Sequence, residues 1–543
     1  MGKRELKSAP LPVQVSKIKG MDTVRRGASQ HWGVDHVQPF FPPLESLFKV
    51  ESVPDGWREY GIKLDNPIQT ITGSTSVTLA DSTSVPIHIK QTAILSPLKW
   101  MRGDYGSALG LPATQSDASD IHAKLQIPHN AAYIGSLFSA LLSQTKCIHF
   151  PTVYGVYSGI AKKHTIDISD DYCDLTDRPW FAQNIGSTFE LKLADQLEEL
   201  GGFQHTRSTR VEMQLGADAE LGDVEELDGI PSSDPLHIPS MERHTIDNDT
   251  SARDTESDAS SVSTSYIFEI ESCDCSDAGT DVSDEDEEDD EGFAWATVSN
   301  VPVQLTVMER CEGTLYQLMC LNPETEKHWA WMAQVVFALF FAQRTLGFVH
   351  NDLHSNNIMY VKTDKEWLWY KADGEVFKVP THGYLIKIID FERGQGLVRI
   401  TGMKGYKVFM SDQFSLHEEA AGQYNCEPFY TPKIETIKPN PSFDLVRLAT
   451  SLFWDLFPRG PEHQEYTSNP LFCALKAWLT VEDGSSILFG PKSAKHSRYH
   501  GFELYKAITR HCKDTAVPRK EISLFKEFIV QNAPGTIQYD IHV

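Results

Sequence analysis

Two short stretches hold the residues best suited to chemistry: Val349-His350-Asn351-Asp352-Leu353-His354-Ser355-Asn356-Asn357-Ile358 and Ile388-Ile389-Asp390-Phe391-Glu392. The first has the spacing H-x-D-x-x-x-x-N, which sets a carboxylate five residues before a carboxamide. A carboxylate so placed can receive the proton of an attacking hydroxyl, while the carboxamide and a second carboxylate hold a magnesium ion. Phosphoryl transfer asks little else of a protein, because an aligned nucleophile and cations that neutralise charge on the phosphates do most of the work. Asp352, Asn357 and Asp390 supply those parts.

The flanking elements must bring the two stretches together. Residues 326–345 read as a long helix, with Gly347 as its C-terminal stop. The Asp352 loop follows at once. Asp390 lies 33 positions beyond Asn357, and residues 367–370, 376–379 and 385–389 read as strands with Ala372-Asp373-Gly374 as a hairpin turn. That insertion extends a hairpin and leaves its two ends free to converge. Residues 442–453 form a buried-helix pattern with Asp444 near its start, placed either to anchor the Asp352 loop or to complement the helix N-terminus. Residues 470–532 read as further helices.

Upstream, Ile68, Ile71, Val77, Leu79, Val85, Ile87 and Ile89 mark short strands broken at Gly73-Ser74 and Asp81-Ser82, the last strand ending at Lys90. A lysine at that strand end is either a phosphate ligand or a solvated surface group, with Lys99 as competitor. Residues 130–144 carry a helical apolar stripe, and no glutamate occurs between Lys90 and Glu190. Asp117 and Asp120 are the nearest acidic substitutes. Residues 149–160 alternate as a strand or hairpin, 167–177 are acidic and turn-rich, and 301–315 read as a buried strand, a hinge and a short helix.

The formal charge of −26 belongs to one segment, since residues 211–300 hold 27 Asp or Glu against Arg243 and Arg253 alone. The folded remainder is near neutral, so no general argument about nucleic-acid repulsion applies to it, and no direct nucleic-acid partner is expected. The acidic insertion 216–291 cannot bury enough apolar surface to offset its ordering entropy and reads as disordered, a solvated insertion or a tail for a basic protein partner. Nine scattered cysteines, with no C-x-x-C pair, fit reduced thiols in an intracellular compartment, cytoplasmic or nuclear. No signal peptide is visible, and the apolar run 329–341, polar only at Gln334, is too short for a bilayer.

With these residues located, the chain resembles the protein-kinase superfamily, and within it the divergent kinase-like proteins of giant DNA viruses. The resemblance rests on Asn130-Ala131-Ala132-Tyr133, Met308-Glu309, Glu312-Gly313-Thr314-Leu315, the 350–357 loop, Lys378-Val379-Pro380-Thr381, Gln423-Tyr424-Asn425-Cys426-Glu427-Pro428 and Ser442-Phe443-Asp444-Leu445. It implies an α+β, two-lobed protein-kinase-like fold, with a small mainly β N-terminal lobe (51–308, including the acidic insertion) and a larger mainly α C-terminal lobe (309–543) whose residues 405–430 would form the activation and substrate-binding segment. Residues 1–50 are expected to be a loosely packed extension. It further implies ATP and Mg2+ as cofactors and transfer of the γ-phosphate to Ser/Thr hydroxyls of a protein substrate, with no membrane partner. Asp352 would be the catalytic base, with His354 and Asn357 beside it. Asn357 and Asp390 would bind the metal, Gly73 and Lys90 the phosphates, and Met308, Glu309 and Cys311 the adenine. Two departures stand out: His354 replaces a lysine common in such kinases, and Glu392 replaces the glycine after Asp-Phe. A small-molecule kinase of aminoglycoside or choline type and a non-catalytic pseudokinase are the alternative readings.

Overall fold

The computed structural model describes residues 13–39, 60–105, 130–194, 293–399, 405–414, 419–430, 437–490, 499, 501–531 and 538–543. The acidic insertion 216–291, Asp117 and Asp120 lie outside these residues. The described chain is mixed α+β, with a curled sheet toward the N-terminal side and helices toward the C-terminal side.

Strands β1 (Val15–Lys17), β2 (Val34–Pro39), β3 (Tyr60–Ile62), β4 (Ile68–Ile71), β5 (Ser76–Leu79), β6 (Ser84–Ala93), β7 (Val153–Asp167), β8 (Phe189–Ala194) and β9 (Phe293–Glu309) make up the N-terminal part. Seven of them form one sheet in the order β2-β7-β9-β6-β5-β4, with β8 also on β9. β9 is the spine of this sheet. It is rich in Val and Thr, whose branched side chains suit a pleated surface covered on both faces. It begins at Phe293, eight residues before the strand expected at 301, and β7 runs on to Asp167 where a shorter element was expected. The two pair almost end to end, Val153 with Met308 and Asp167 with Trp295.

Residues 13–39 differ from the loose extension expected of them. Helix α1 (Met21–Gly27) and β2 are built into the sheet's core, with Val24, Ala28, Val34 and Val37 buried. Gly27 makes this possible, since a β-carbon there would stand 2.6 Å from Ile71 Cβ. Isolated apolar residues in a polar context gave no period to reveal this packing.

Helix α2 (Ala131–Gln144) is capped by Asn130, whose side chain accepts from Ala132 N and donates to Ile94 O just beyond β6. Every residue from Ala131 to Leu142 is buried. Helix α3 (Thr325–Leu346) is the long helix predicted, and its αL cap at Gly347, with φ 57°, turns the chain directly into the 349–357 loop. Its fully buried Gln334 donates to Tyr384 O and accepts from Ile386 N, both on a later strand. A buried carboxamide so matched fixes helix to strand without an unsatisfied group.

The two-residue β10 (Gly313–Thr314) precedes α3, and beyond the helix come β11 (Ile358–Lys362), β12 (Trp367–Ala372), β13 (Glu375–Pro380) and β14 (Tyr384–Ile388). β14 pairs with β11 and returns Ile388 opposite Ile358, so the ends of the insertion meet. The β12–β13 turn is the predicted one, with Asp373 and Gly374 both at positive φ. β15 (Gln395–Val398) and β16 (Lys407–Met410) pair next, followed by α4 (Phe443–Leu456), α5 (Pro470–Trp478), α6 (Gly501–His511) and β17 (Ile541–His542), which pairs with β12. No described helix is long and apolar enough to cross a membrane.

Candidate active site

The loop from His350 to Asn357 is held by its backbone. Asp444, fully buried at the start of α4, accepts from His350 N and Asn351 N, each at 2.9 Å. Burial pushes its carboxyl upward, while His350 and the two backbone donors pull the other way. Asn351 takes a left-handed φ of 63° and donates to Arg393 O, and the Tyr424 hydroxyl donates to its side-chain oxygen. Val349 and Gln395 exchange both backbone hydrogen bonds.

Within it, Asn357 Nδ2 donates to Asp352 O at 2.9 Å and lies 3.1 Å from His354 Nε2. Asp352, His354 and Asn357 thus stand together, all buried. The Asp352 carboxylate also accepts from the hydroxyl of Tyr505 on α6, at 2.5 Å. Tyr505 lies in turn under the guanidinium groups of Arg393 and Arg447. Sequence reading missed Tyr505, because nothing in the amphipathic pattern of 501–511 separates a core tyrosine from one aimed at a carboxylate 153 positions away.

Asp390 arrives on the end of β14. Ile388 N donates to His149 O and Ile389 N to Asn357 O, and the His350 ring meets Ile389 O at 2.7 Å. Asp390 itself sits at φ 64°. An aspartate tolerates this left-handed conformation better than most residues. Phe391 packs edge-on against Phe348, His350 and Phe150, which pins the loop from behind.

Lys90 meets this loop directly. Its Nζ lies 2.5 Å from Asp390 Oδ1 and 2.7 Å from Glu392 Oε1. Burial works against the ammonium charge, and the two carboxylates more than offset it, so the group stays above the ordinary lysine range. Lys90, rather than Lys99, is therefore the lysine at the site. Among the described residues its carboxylate partners come from the Asp390 loop and not from α2.

Of the remaining candidates, Met308 is near Lys90 by strand adjacency. Register places Lys90 beside Thr306 and His88 beside Met308, so the end of β9 flanks the lysine. Glu309 is spent structurally, accepting from Lys387 Nζ at 2.9 Å and from Thr152 N. Burial, helped by the Glu309 carboxylate, pushes the Cys311 thiol up to about 12, which keeps it neutral. Gly73 turns the chain between β4 and β5, where its N–H donates to Ser76 O and its carbonyl accepts from the Trp32 indole.

The donor set suits magnesium, a hard cation that takes one or two carboxylates and fills its shell with water and phosphate oxygens. Asp390 offers a carboxylate. Asn357 offers a carboxamide oxygen, its nitrogen being committed to the loop.

No family model matches the chain. Short stretches do match known proteins. The chain is 38% identical over 58 residues to the serine/threonine-protein kinase haspin of Mus musculus, covering 11% of this chain and 8% of haspin. It is 35% identical over 72 residues to a Frog virus 3 protein provisionally named a serine/threonine-protein kinase, covering 13% of this chain and 8% of that protein. An uncharacterized protein of Caenorhabditis elegans is 37% identical over 62 residues, 11% of this chain and 21% of its own. The chain therefore matches about a fifth or less of each relative's length. Within these limits the similarity is kinase-like.

Proposed function

We propose that the protein is an ATP- and magnesium-dependent kinase that transfers the γ-phosphate to Ser/Thr hydroxyls of a protein substrate. The observation that carries this reading is the meeting of Lys90, from the sheet, with Asp390, whose strand end is hydrogen-bonded to the Asp352–Asn357 loop. The strand order β7-β9-β6-β5-β4 beside a buried helix and a helical C-terminal part supports a two-lobed, kinase-like arrangement.

In this reading Lys90 fixes the α- and β-phosphates, and Asn357 and Asp390 hold magnesium, which when bound neutralises charge on the transferring phosphate. Asp352 orients the substrate hydroxyl and receives its proton late in the transfer, after the Tyr505 hydroxyl has given way to the substrate's. His354, hydrogen-bonded to Asn357, keeps that side chain aimed. Met308 and the backbone of Glu309 to Cys311 border the adenine, and Gly73 lies in the turn over the phosphates.

A binding role without turnover is favoured by one contact, the Tyr505 hydroxyl on the Asp352 carboxylate. Transfer of labelled γ-phosphate by wild type and Asp352→Asn, side by side, separates the two readings. Turnover should fall roughly 10²-fold or more while ATP affinity changes little. Equal activity in both proteins would remove Asp352 from the mechanism, and no activity in either, with ATP still bound, would leave the binding role.

A further inference from the structure

Helix α2 packs along the sheet beside Lys90 yet carries no acidic side chain, its sequence being Ala-Ala-Tyr-Ile-Gly-Ser-Leu-Phe-Ser-Ala-Leu-Leu-Ser-Gln. A lysine that must aim at phosphate from a mostly buried strand needs a fixed counter-charge, because four rotatable bonds otherwise let it wander. Two carboxylates touch it, and their surroundings differ.

Asp390 is the more open, with 15% of its side chain exposed. Glu392 is 4% exposed and gripped on two sides. One oxygen, Oε1, takes both Lys90 Nζ and the Thr92 hydroxyl, each at 2.7 Å. Lys90 and Thr92 are two apart on β6 and so present one face of the strand to it. From the other side α2 supplies Gly135. A β-carbon there would stand 2.6 Å from Glu392 Cγ and 3.3 Å from its Cα, so the helix is notched where the glutamate lies. Ser136, next along, is tied to Thr306 across the sheet at 2.7 Å, which holds the notch in place.

We propose that Glu392 is the positioning residue for Lys90, supplying from the Asp390 loop the carboxylate that helix α2 lacks, with Thr92 and the Gly135 notch as its socket. The inference rests on the phosphate-transfer reading of this site. It gives the glutamate after Asp-Phe a role distinct from metal binding. With Asp390 turned to magnesium, Lys90 keeps a dedicated partner, and one short loop sets both the cation ligand and the phosphate-binding lysine.

The test compares wild type with Glu392→Gln, Glu392→Gly, Gly135→Glu and the double variant Glu392→Gly/Gly135→Glu. It reads MgATP dissociation constants by calorimetry together with KM for ATP, kcat and the magnesium concentration giving half-maximal rate. Loss of one charge-assisted hydrogen bond predicts an ATP Kd and KM raised about tenfold or more in Glu392→Gln. The magnesium requirement should stay unchanged. Gly135→Glu alone should be impaired by the clash, and the double variant should bind ATP more tightly than Glu392→Gly, because the helix carboxylate then fills the vacated volume. If the double variant fails to fold, Thr92→Val reads the same socket and should raise Kd in the same direction by less. A Kd within twofold of wild type in Glu392→Gln overturns the proposal, as does a raised magnesium requirement, which would make Glu392 a metal ligand. A wild type that binds MgATP but transfers nothing ends the kinase reading alone, and the Kd comparison still decides Glu392. A wild type that does not bind MgATP ends both.

Discussion

The two loops that meet at the site are held by different means. The 349–357 loop is fixed through its peptide groups, by a buried carboxylate on α4 and by backbone exchange with Gln395. The 389–393 segment has backbone ties at its two ends, at Ile389 and Arg393, but between them leans on side chains, with Lys90 and Thr92 gripping Glu392, and Phe391 wedged among aromatic rings. Backbone anchoring sets a loop's shape whatever is bound, whereas side-chain anchoring can be redirected by a ligand. The first arrangement suits a base that must stay in line with a hydroxyl. The second suits a carboxylate that must leave lysine for a cation.

That contrast is broken most forcefully at Asp444. Asp444→Ala leaves two buried N–H groups without an acceptor, a loss of about 4 kcal/mol at roughly 1–3 kcal/mol for each unsatisfied group. Urea unfolding should register it, and any remaining folded protein should lose turnover. Asp444→Asn, which keeps one acceptor, should recover part of the stability. An Asp444→Ala protein as stable as wild type would mean that the loop is held by other contacts.

The support of the second loop is sensitive to acid. His149 is fully buried, with Nδ1 on Ile386 O and Nε2 on the Tyr370 hydroxyl, and its carbonyl receives Ile388 N just before Asp390. Burial is the chief cause that pushes its pKa down to about 4, from 6.5. The folded state therefore keeps the ring neutral while the unfolded chain takes up a proton. Stability is complete above pH 6.5, falls as pH is lowered, and levels off near 4. The fall is on the order of 3 kcal/mol at most. Unfolding curves across that window should flatten in His149→Gln, and an unchanged slope would assign the acid sensitivity elsewhere.

A smaller effect sharpens the comparison from the helix side. Asn130 caps α2 and ties it to Ile94 beyond β6. Asn130→Ala should cost about 1 kcal/mol in unfolding free energy. Because α2 forms one wall of the Glu392 socket, ATP KM should rise modestly while kcat holds. A kcat loss without any change in KM would place the helix's influence on the first loop instead.

What could be read from the sequence follows the same division. Local signals sufficed for the α3 stop at Gly347, the Asp373-Gly374 turn and the Asp444 position, because each depends on neighbours in the chain, whereas the strand expected to end at Lys90 runs on to Ala93. The Lys90–Glu392 pair was not legible, since its members are 302 positions apart and nothing near either one in the chain marks the other. Gly135 was the available clue, a glycine inside an otherwise uniform helical stripe. The packing of residues 13–39 was not legible for a similar reason, as their buried positions are too sparse to form a period and are completed only by the sheet edge they cover. Tyr505 looks like an ordinary core aromatic until α6 is placed against the loop.

The central claim, that Asp390 and the 349–357 loop form one magnesium-dependent phosphate-transfer site, is tested most directly by measuring γ-phosphate transfer in wild type and Asp390→Asn across a magnesium titration. The account predicts magnesium-dependent transfer in wild type and its loss in Asp390→Asn at every magnesium concentration, with the unfolding midpoint little changed. Transfer by Asp390→Asn at the wild-type rate, with the same dependence on magnesium, would contradict it.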